Sequence, residues 1–158
     1  MPDPNLAQWI FLSAAEYFRE QFAAESFTYF VEGEPRATDK VKDVVEFRLD
    51  GPSSEEVSRN FWFHNIEVNI LISAVKDEDL ARIHRISGIV QHAFNTEIPV
   101  FRYGKQPGDD EGLIGCLQLR KDFRERAIVL SHFGQLEPNL NILQATVEGH
   151  FRLTLCEE

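Results

Sequence analysis

The sequence predicts an α/β (α+β) domain: a twisted, mixed, mostly antiparallel sheet with two long strands, packed by two helices. Three observations carry the prediction. Between Asn60 and Ser73, the residues Trp62, His64, Ile66, Val68, Ile70 and Ile72 alternate with Phe63, Asn65, Glu67 and Asn69, the period-two pattern of a strand with one apolar face. A second run repeats this near the end of the chain, where Leu143, Ala145, Val147, Gly149, Phe151, Leu153 and Leu155 alternate with Gln144, Thr146, Glu148, His150, Arg152 and Thr154. Two other stretches carry apolar residues three and four apart, the helical period. At ~3.3 Å per residue the first run reaches ~43 Å, while a compact chain of 158 residues has a diameter near ~40 Å. Strands as long as the domain is wide leave edges and polar faces to be covered, and copies of the same chain are the expected cover.

In chain order, Asp3 and Pro4 make a helix opening, a side-chain acceptor followed by a residue tolerated in the first turn. Leu6, Ile10, Ala14, Tyr17, Phe18, Gln21 and Phe22 then predict an amphipathic helix over about 4–23. Its rings (Trp9, Tyr17, Phe18, Phe22) are expected in the core. Short strands follow at Phe27–Val31 and Val44–Leu49, the second ended by a turn at Asp50-Gly51-Pro52. The polar run Ser53–Arg59 leads into the long strand, and these pieces read as an antiparallel meander. Asp77, Glu78 and Asp79 suit a helix N-terminus, and Leu80, Ile83, Ile86, Val90 and Phe94 extend that helix to Asn95, about 18 residues and ~27 Å. The strand Ile98–Tyr103 contains Pro99, which cannot donate to a ladder and marks an edge; strand, helix and strand together have the layout of a crossover unit, right-handed if the strands are parallel. Gly104–Gly112 reads as an exposed acidic loop. Leu113–Leu119 alternates again, Ala127–Leu130 is a short strand running into Ser131–Gly134, and Glu137-Pro138-Asn139 turns into the last long strand. No repeat or linker divides 1–158, so one domain is expected.

The formal charge is −10 and the pI near 5.0. That balance argues against a surface built to neutralise nucleic-acid phosphates; it keeps a protein soluble, or provides a wall that DNA passes without adhering. Cys116 and Cys156 stand far apart in no metal-type spacing and are expected as reduced thiols. Met1-Pro2-Asp3-Pro4 lacks the basic and apolar regions of a signal peptide, and no apolar run reaches the ~18–20 residues of a membrane span, so the expectation is a chain made in the cytoplasm, without membrane contact.

Residues that could carry chemistry are scattered. His84 and His92 share a helix but lie ~12 Å apart along its axis; His64 and His150 sit on the two long strands and His132 in a predicted loop. No HExxH, HxH or CxxC supplies a metal site. Cys116 with His132 or His150 is conceivable as a nucleophile and base, yet Cys116 falls inside a strand pattern. No GxSxG, P-loop or GxGxxG occurs. The expectation is therefore no enzyme, with no catalytic, cofactor-binding or metal-binding residues and no cofactor.

What remains is surface. If the long strands are neighbours, Asn65, Glu67 and Asn69 share a face with Glu148, His150 and Arg152, a polar belt that is either solvated or a subunit interface rich in hydrogen bonds and charge pairs.

The order of elements resembles the tail terminator and neck proteins of tailed bacteriophages: a leading helix, two strands, the long strand His64-Asn65-Ile66-Glu67-Val68-Asn69-Ile70-Leu71, a helix, the Ile98-Pro99-Val100 strand, and the terminal strand Gln144-Ala145-Thr146-Val147-Glu148-Gly149-His150-Phe151. The resemblance covers most of the chain and lies in element order, size and strand texture, without a signature motif. It implies a structural virion protein that forms a six-fold ring of its own copies, caps the tail tube, joins it to the head connector and adaptor proteins, and lets DNA pass without specific binding. By the same likeness Asp109, Asp110 and Glu111 are candidates for the lumen or for a joint with the next ring. A head–tail adaptor or other tail-tube component is the nearest alternative. A small α+β ligand-binding domain or enzyme, with an apolar pocket lined by Trp62, Phe63, His64, Tyr103 and His132, is a further one, and a plain heteromeric scaffold a third.

Overall fold

A computed structural model describes residues 3–34, 43–75, 81–94, 97–102, 112–120, 128–137 and 140–155. In chain order the elements are α1 (Leu6–Gln21), β1 (Thr28–Val31), β2 (Val44–Ser58), β3 (Phe61–Val75), α2 (Ala81–Ala93), β4 (Ile98–Phe101), β5 (Leu113–Leu119), β6 (Ile128–Glu137) and β7 (Leu140–Leu155). The domain is α+β. The strands form one sheet in the order β1-β2-β3-β7-β5-β4, with β6 also paired to β7.

The two long runs become β3, of 15 residues, and β7, of 16, paired antiparallel from Asn65↔Arg152 to Val75↔Ile142. Their apolar sets, Ile66, Val68, Ile70 and Ile72 with Ala145, Val147, Phe151 and Leu153, are buried on one face. Both helices lie on that face. From α1, Leu6, Trp9, Ile10, Ala14 and Phe18 are buried, and from α2, Ile83, Ile86, Val90 and Ala93. A relay of rings runs through the core: Phe18 lies 5.7 Å from Phe47 and 5.2 Å from Phe94 between centroids, and Phe94 lies 5.9 Å from Phe151. Gly149 makes room for this, since a Cβ there would collide with the Phe94 ring.

Hydrogen bonds fix the helices to the sheet. The Tyr17 hydroxyl donates to the carbonyl of Ala93 at 2.9 Å and the Tyr29 hydroxyl to that of Ala15 at 2.9 Å. On the edge strand β4, the Phe101 N–H donates to Ser13 Oγ at 2.9 Å, so α1 satisfies backbone that an edge would otherwise expose. At the α1 N-terminus, the Asp3 carboxylate accepts the N–H of Asn5 at 2.8 Å, and the helix begins two residues after Pro4.

Several sequence expectations are corrected. β1 and β2 pair parallel, not as a meander. Asp50-Gly51-Pro52 is no turn: β2 continues to Ser58, and its register against β3 shifts between Asp50 and Ser53. Pro52, which lacks a donor, sits in that irregularity, where no ladder bond is lost. Gly51 has φ 103° and its missing Cβ would stand 2.9 Å from the carbonyl oxygen of Asn65. The chain reverses instead at Arg59–Asn60, with Asn60 at φ 65°, a region Asn tolerates. β4 lies at the sheet edge as Pro99 implied, but three antiparallel pairings separate it from β3. The two strands therefore run antiparallel, and the crossover rule does not apply. β6 extends from Ile128 to Glu137 through the segment expected to be a loop, with register shifts after His132 and Gln135. The described part of α2 has 13 residues, and Asp77–Asp79 lie outside the described residues. The long strands are also not edges: β3 and β7 are flanked on both sides along most of their length. Among the described residues the edges belong to the terminal strands β1 and β4, to β2 beyond Phe47, to β6, and to Phe61–His64 of β3.

Candidate functional site: a polar belt on the open face of the sheet

Alternation sends the odd residues of β3 and the even residues of β7 to the face away from both helices. Register does the rest. Asn65 stands opposite Arg152, Glu67 opposite His150, and Asn69 opposite Glu148, so the six residues singled out in the sequence share one patch. Arg152 Nε donates to Asn65 Oδ1 at 3.1 Å, and its guanidinium lies 4.0 Å over the ring of Phe63, a cation–π arrangement. Asn69 Nδ2 donates to Glu67 Oε1 at 3.0 Å and to Asp50 Oδ2 at 3.3 Å. His150 Nε2 is 3.0 Å from Glu148 Oε1.

Electrostatically the middle of the belt is crowded. Burial is the first cause that pushes the Glu148 carboxyl above the ordinary carboxylate range, and the neighbouring Glu67 charge adds to it; His150 pulls the other way. The ligand atoms of Glu67, Glu148 and His150 all lie within 4.8 Å of one another. All three side chains are half-buried, open enough to meet a partner and sheltered enough for charge to matter.

The belt extends further than the sequence suggested. β2 contributes Arg48, opposite Asn69, and Asp50, opposite Glu67. β5 contributes Gln118, opposite Arg152, which accepts from Thr154 Oγ1 at 3.3 Å and donates to Glu97 at 2.8 Å. The signal for the β2 members was present, since Glu46, Arg48 and Asp50 keep the two-residue period up to the first residue of the assumed turn. Nearby, Arg48 binds the buried Glu46 at 3.1 Å.

Beyond the belt, β2 and β3 continue as a two-stranded arm. No described strand pairs with Phe61–His64 from the β7 side, and the arm's Val57 and Phe61 are 51% and 55% exposed. Phe61 packs edge-on against Phe63 at 5.5 Å, and the His64 imidazole, buried on the other face, sits 2.8 Å from Ser54 Oγ.

The residues proposed for an apolar pocket do not converge. His132 occupies the rung of Ala145 and hence of Ile72, eight residues from His64, ~26 Å along the sheet. His132 instead packs, tilted by 52°, against His84 of α2 at 4.5 Å between ring centroids; Tyr103 lies outside the described residues. Cys116 is half-buried opposite Thr154, four residues and ~13 Å from His150, so the two form no dyad. Cys156 and the loop residues Asp109, Asp110 and Glu111 lie outside the described residues. An open groove between the end of α1 and α2, lined by Phe22, Glu25, Arg85, Ile89 and His92, joins no paired acid and base. Among the described residues no helix is long and apolar enough to cross a membrane.

No protein-family model matches the chain, and no curated protein is significantly similar to it.

Proposed function

We propose that this chain is a non-enzymatic structural subunit of a tailed-bacteriophage virion, a tail terminator or neck protein whose copies close into a ring. The ring, six-fold by the resemblance, caps the tail tube and joins it to the head connector. The observation that carries the reading is the β2–β3 arm: a two-stranded ribbon bearing Val57 and Phe61 in the open is marginal alone and gains from resting on another chain. The free edges of β2 and β6 and the helix-free polar face offer further surfaces for a neighbour. A head-to-tail ring satisfies each of them in every copy and leaves none to aggregate. Its net charge of −10 suits a lumen through which DNA passes without adhering, and Asp109, Asp110 and Glu111 are the proposed lumen or inter-ring residues. A head–tail adaptor would use the same surfaces and differs only in which ring it joins.

The test is mass in solution, by analytical ultracentrifugation and native mass spectrometry, alone and with assembled tubes of a phage tail-tube protein. A ring multiple, free or on tube ends, is expected. Arg152→Ala, which removes both the bond to Asn65 and the cover on Phe63, should weaken it at least ~10-fold in subunit concentration, the scale of losing one interfacial charged hydrogen bond. A chain that stays monomeric and leaves tube ends bare overturns the reading.

A further inference from the structure

We infer that Glu67, Glu148 and His150 form a binding site for a divalent transition-metal cation of the zinc or manganese class on the open face of the sheet. The three donors come from directly paired positions: Glu67 faces His150 across the β3–β7 ladder, and Glu148 precedes His150 by two residues on the same side. The 3.0 Å between His150 Nε2 and Glu148 Oε1 matches the edge of an octahedron of donors with bonds of ~2.1 Å and is a few tenths of an ångström short of the tetrahedral edge, ~3.4 Å. Glu67 needs only a side-chain adjustment, since all three donor atoms already lie within 4.8 Å.

The set is one imidazole nitrogen with two carboxylates, not a patch of acids. Imidazole suits zinc and the later first-row ions, and the two carboxylates also suit manganese, whereas magnesium and calcium take oxygen donors alone. Three protein ligands leave coordination positions for water or for a group from another molecule. Around the donors, Asn69 holds Glu67 through its amide, the kind of outer bond that fixes a ligand's direction. The backbone beneath is the centre of the sheet, flanked by β2, β6 and β5, so the donors stand on rigid elements. His150 and Glu148 retain 17% and 35% side-chain exposure, which gives the ion a way in. Linear spacing hides all of this, because Glu67 and His150 are brought together only by strand register.

The inference goes beyond the ring proposal. If the face is an interface, an ion with open positions can take its last ligand from the neighbouring copy; the site itself is complete within one chain.

The experiment titrates zinc, and separately manganese, into the untagged, EDTA-treated full chain by isothermal calorimetry at pH 7.5, with cobalt as a visible-absorption probe. One ion per chain is expected, with binding weakened at least 10-fold in Glu148→Gln and in His150→Ala and unchanged in His92→Ala. Glu67→Gln, which keeps shape and removes only charge, guards against misfolding and should weaken binding likewise. No saturable site at 100-fold metal excess, or a site indifferent to all three ligand substitutions, overturns the inference. Sedimentation of the same samples with EDTA separates the two ideas: a ring that forms metal-free while no metal binds ends the metal site alone, and a metal-binding chain that never assembles ends the ring alone.

Discussion

His64 is a residue whose neighbours set its chemistry. Its imidazole is buried beside Ser54, and burial holds it below the ordinary value of 6.5. The unfolded chain then takes up a proton near pH 6.5 and the folded chain only at lower pH. Stability from this group is complete above 6.5 and declines as pH falls from there toward the folded value. His132, lowered by burial and by His84, acts with the same sign. Glu148, raised by burial and by Glu67, acts with the opposite sign, so the histidine contribution is read by difference: between pH 7.5 and pH 5, urea denaturation should show a more unfavourable change in wild type than in His64→Gln, which keeps a partner for Ser54. An equal slope in wild type and variant counts against the assignment. Two glycines are tied to place in a similar way. Gly51→Ala introduces a side chain at φ 103° and against the Asn65 carbonyl, a cost of roughly 1–3 kcal/mol. Gly149→Ala presses on Phe94 and should cost about as much through overpacking. Thermal melts resolve either, since each kcal/mol is worth about 2–4 °C in a chain of this size.

At the scale of elements, α1 is held by burial and the β2–β3 arm is not. Phe18 is fully buried and touches the rings of Tyr17, Phe22, Phe47 and Phe94. Phe18→Ala should destabilise by ~3–5 kcal/mol and lower the melting temperature by about 10 °C. The arm should behave in the opposite way. Val57→Ser with Phe61→Ser removes side chains that are more than half in water, together with the Phe61–Phe63 contact, so folding stability should fall by no more than ~2 kcal/mol, while assembly is lost. Paired melting and sedimentation measurements check both halves; a double variant that assembles as well as wild type would show that the arm is not the joint. The sequence made the core half of this contrast largely legible, because the i, i+3, i+4 stripe of α1 includes the buried Leu6, Ile10, Ala14, Phe18 and Phe22, although its Gln21 is exposed and the buried Ser13 and Ala15 fall outside it. It did not reveal the arm, since Gly51-Pro52 has the composition of a turn and only the partner strand turns it into an irregularity within a strand.

For the whole molecule, the sheet has a dry face covered by two helices and an open face crossed by charge. Strand periodicity decided the contents of each face before any topology was known: Ile66, Val68, Ile70 and Ile72 for one, Asn65, Glu67 and Asn69 for the other. It also implied that β7 carries a matching set. Fold class, the two long strands, the packing helices and the edge position of Pro99 follow from period, length and the donor that proline lacks, all local properties of the chain. Register is not local. That Glu67 meets His150, that Asp50 and Gln118 extend the belt, that β1 runs parallel to β2, and that β3 and β7 lie inside the sheet while β2 and β6 keep free edges depend on pairings between residues as far apart in the chain as Asn65 and Arg152. Such pairings are selected by the sum of core packing over many rungs, a quantity that no single segment of sequence contains and only the assembled tertiary structure decides.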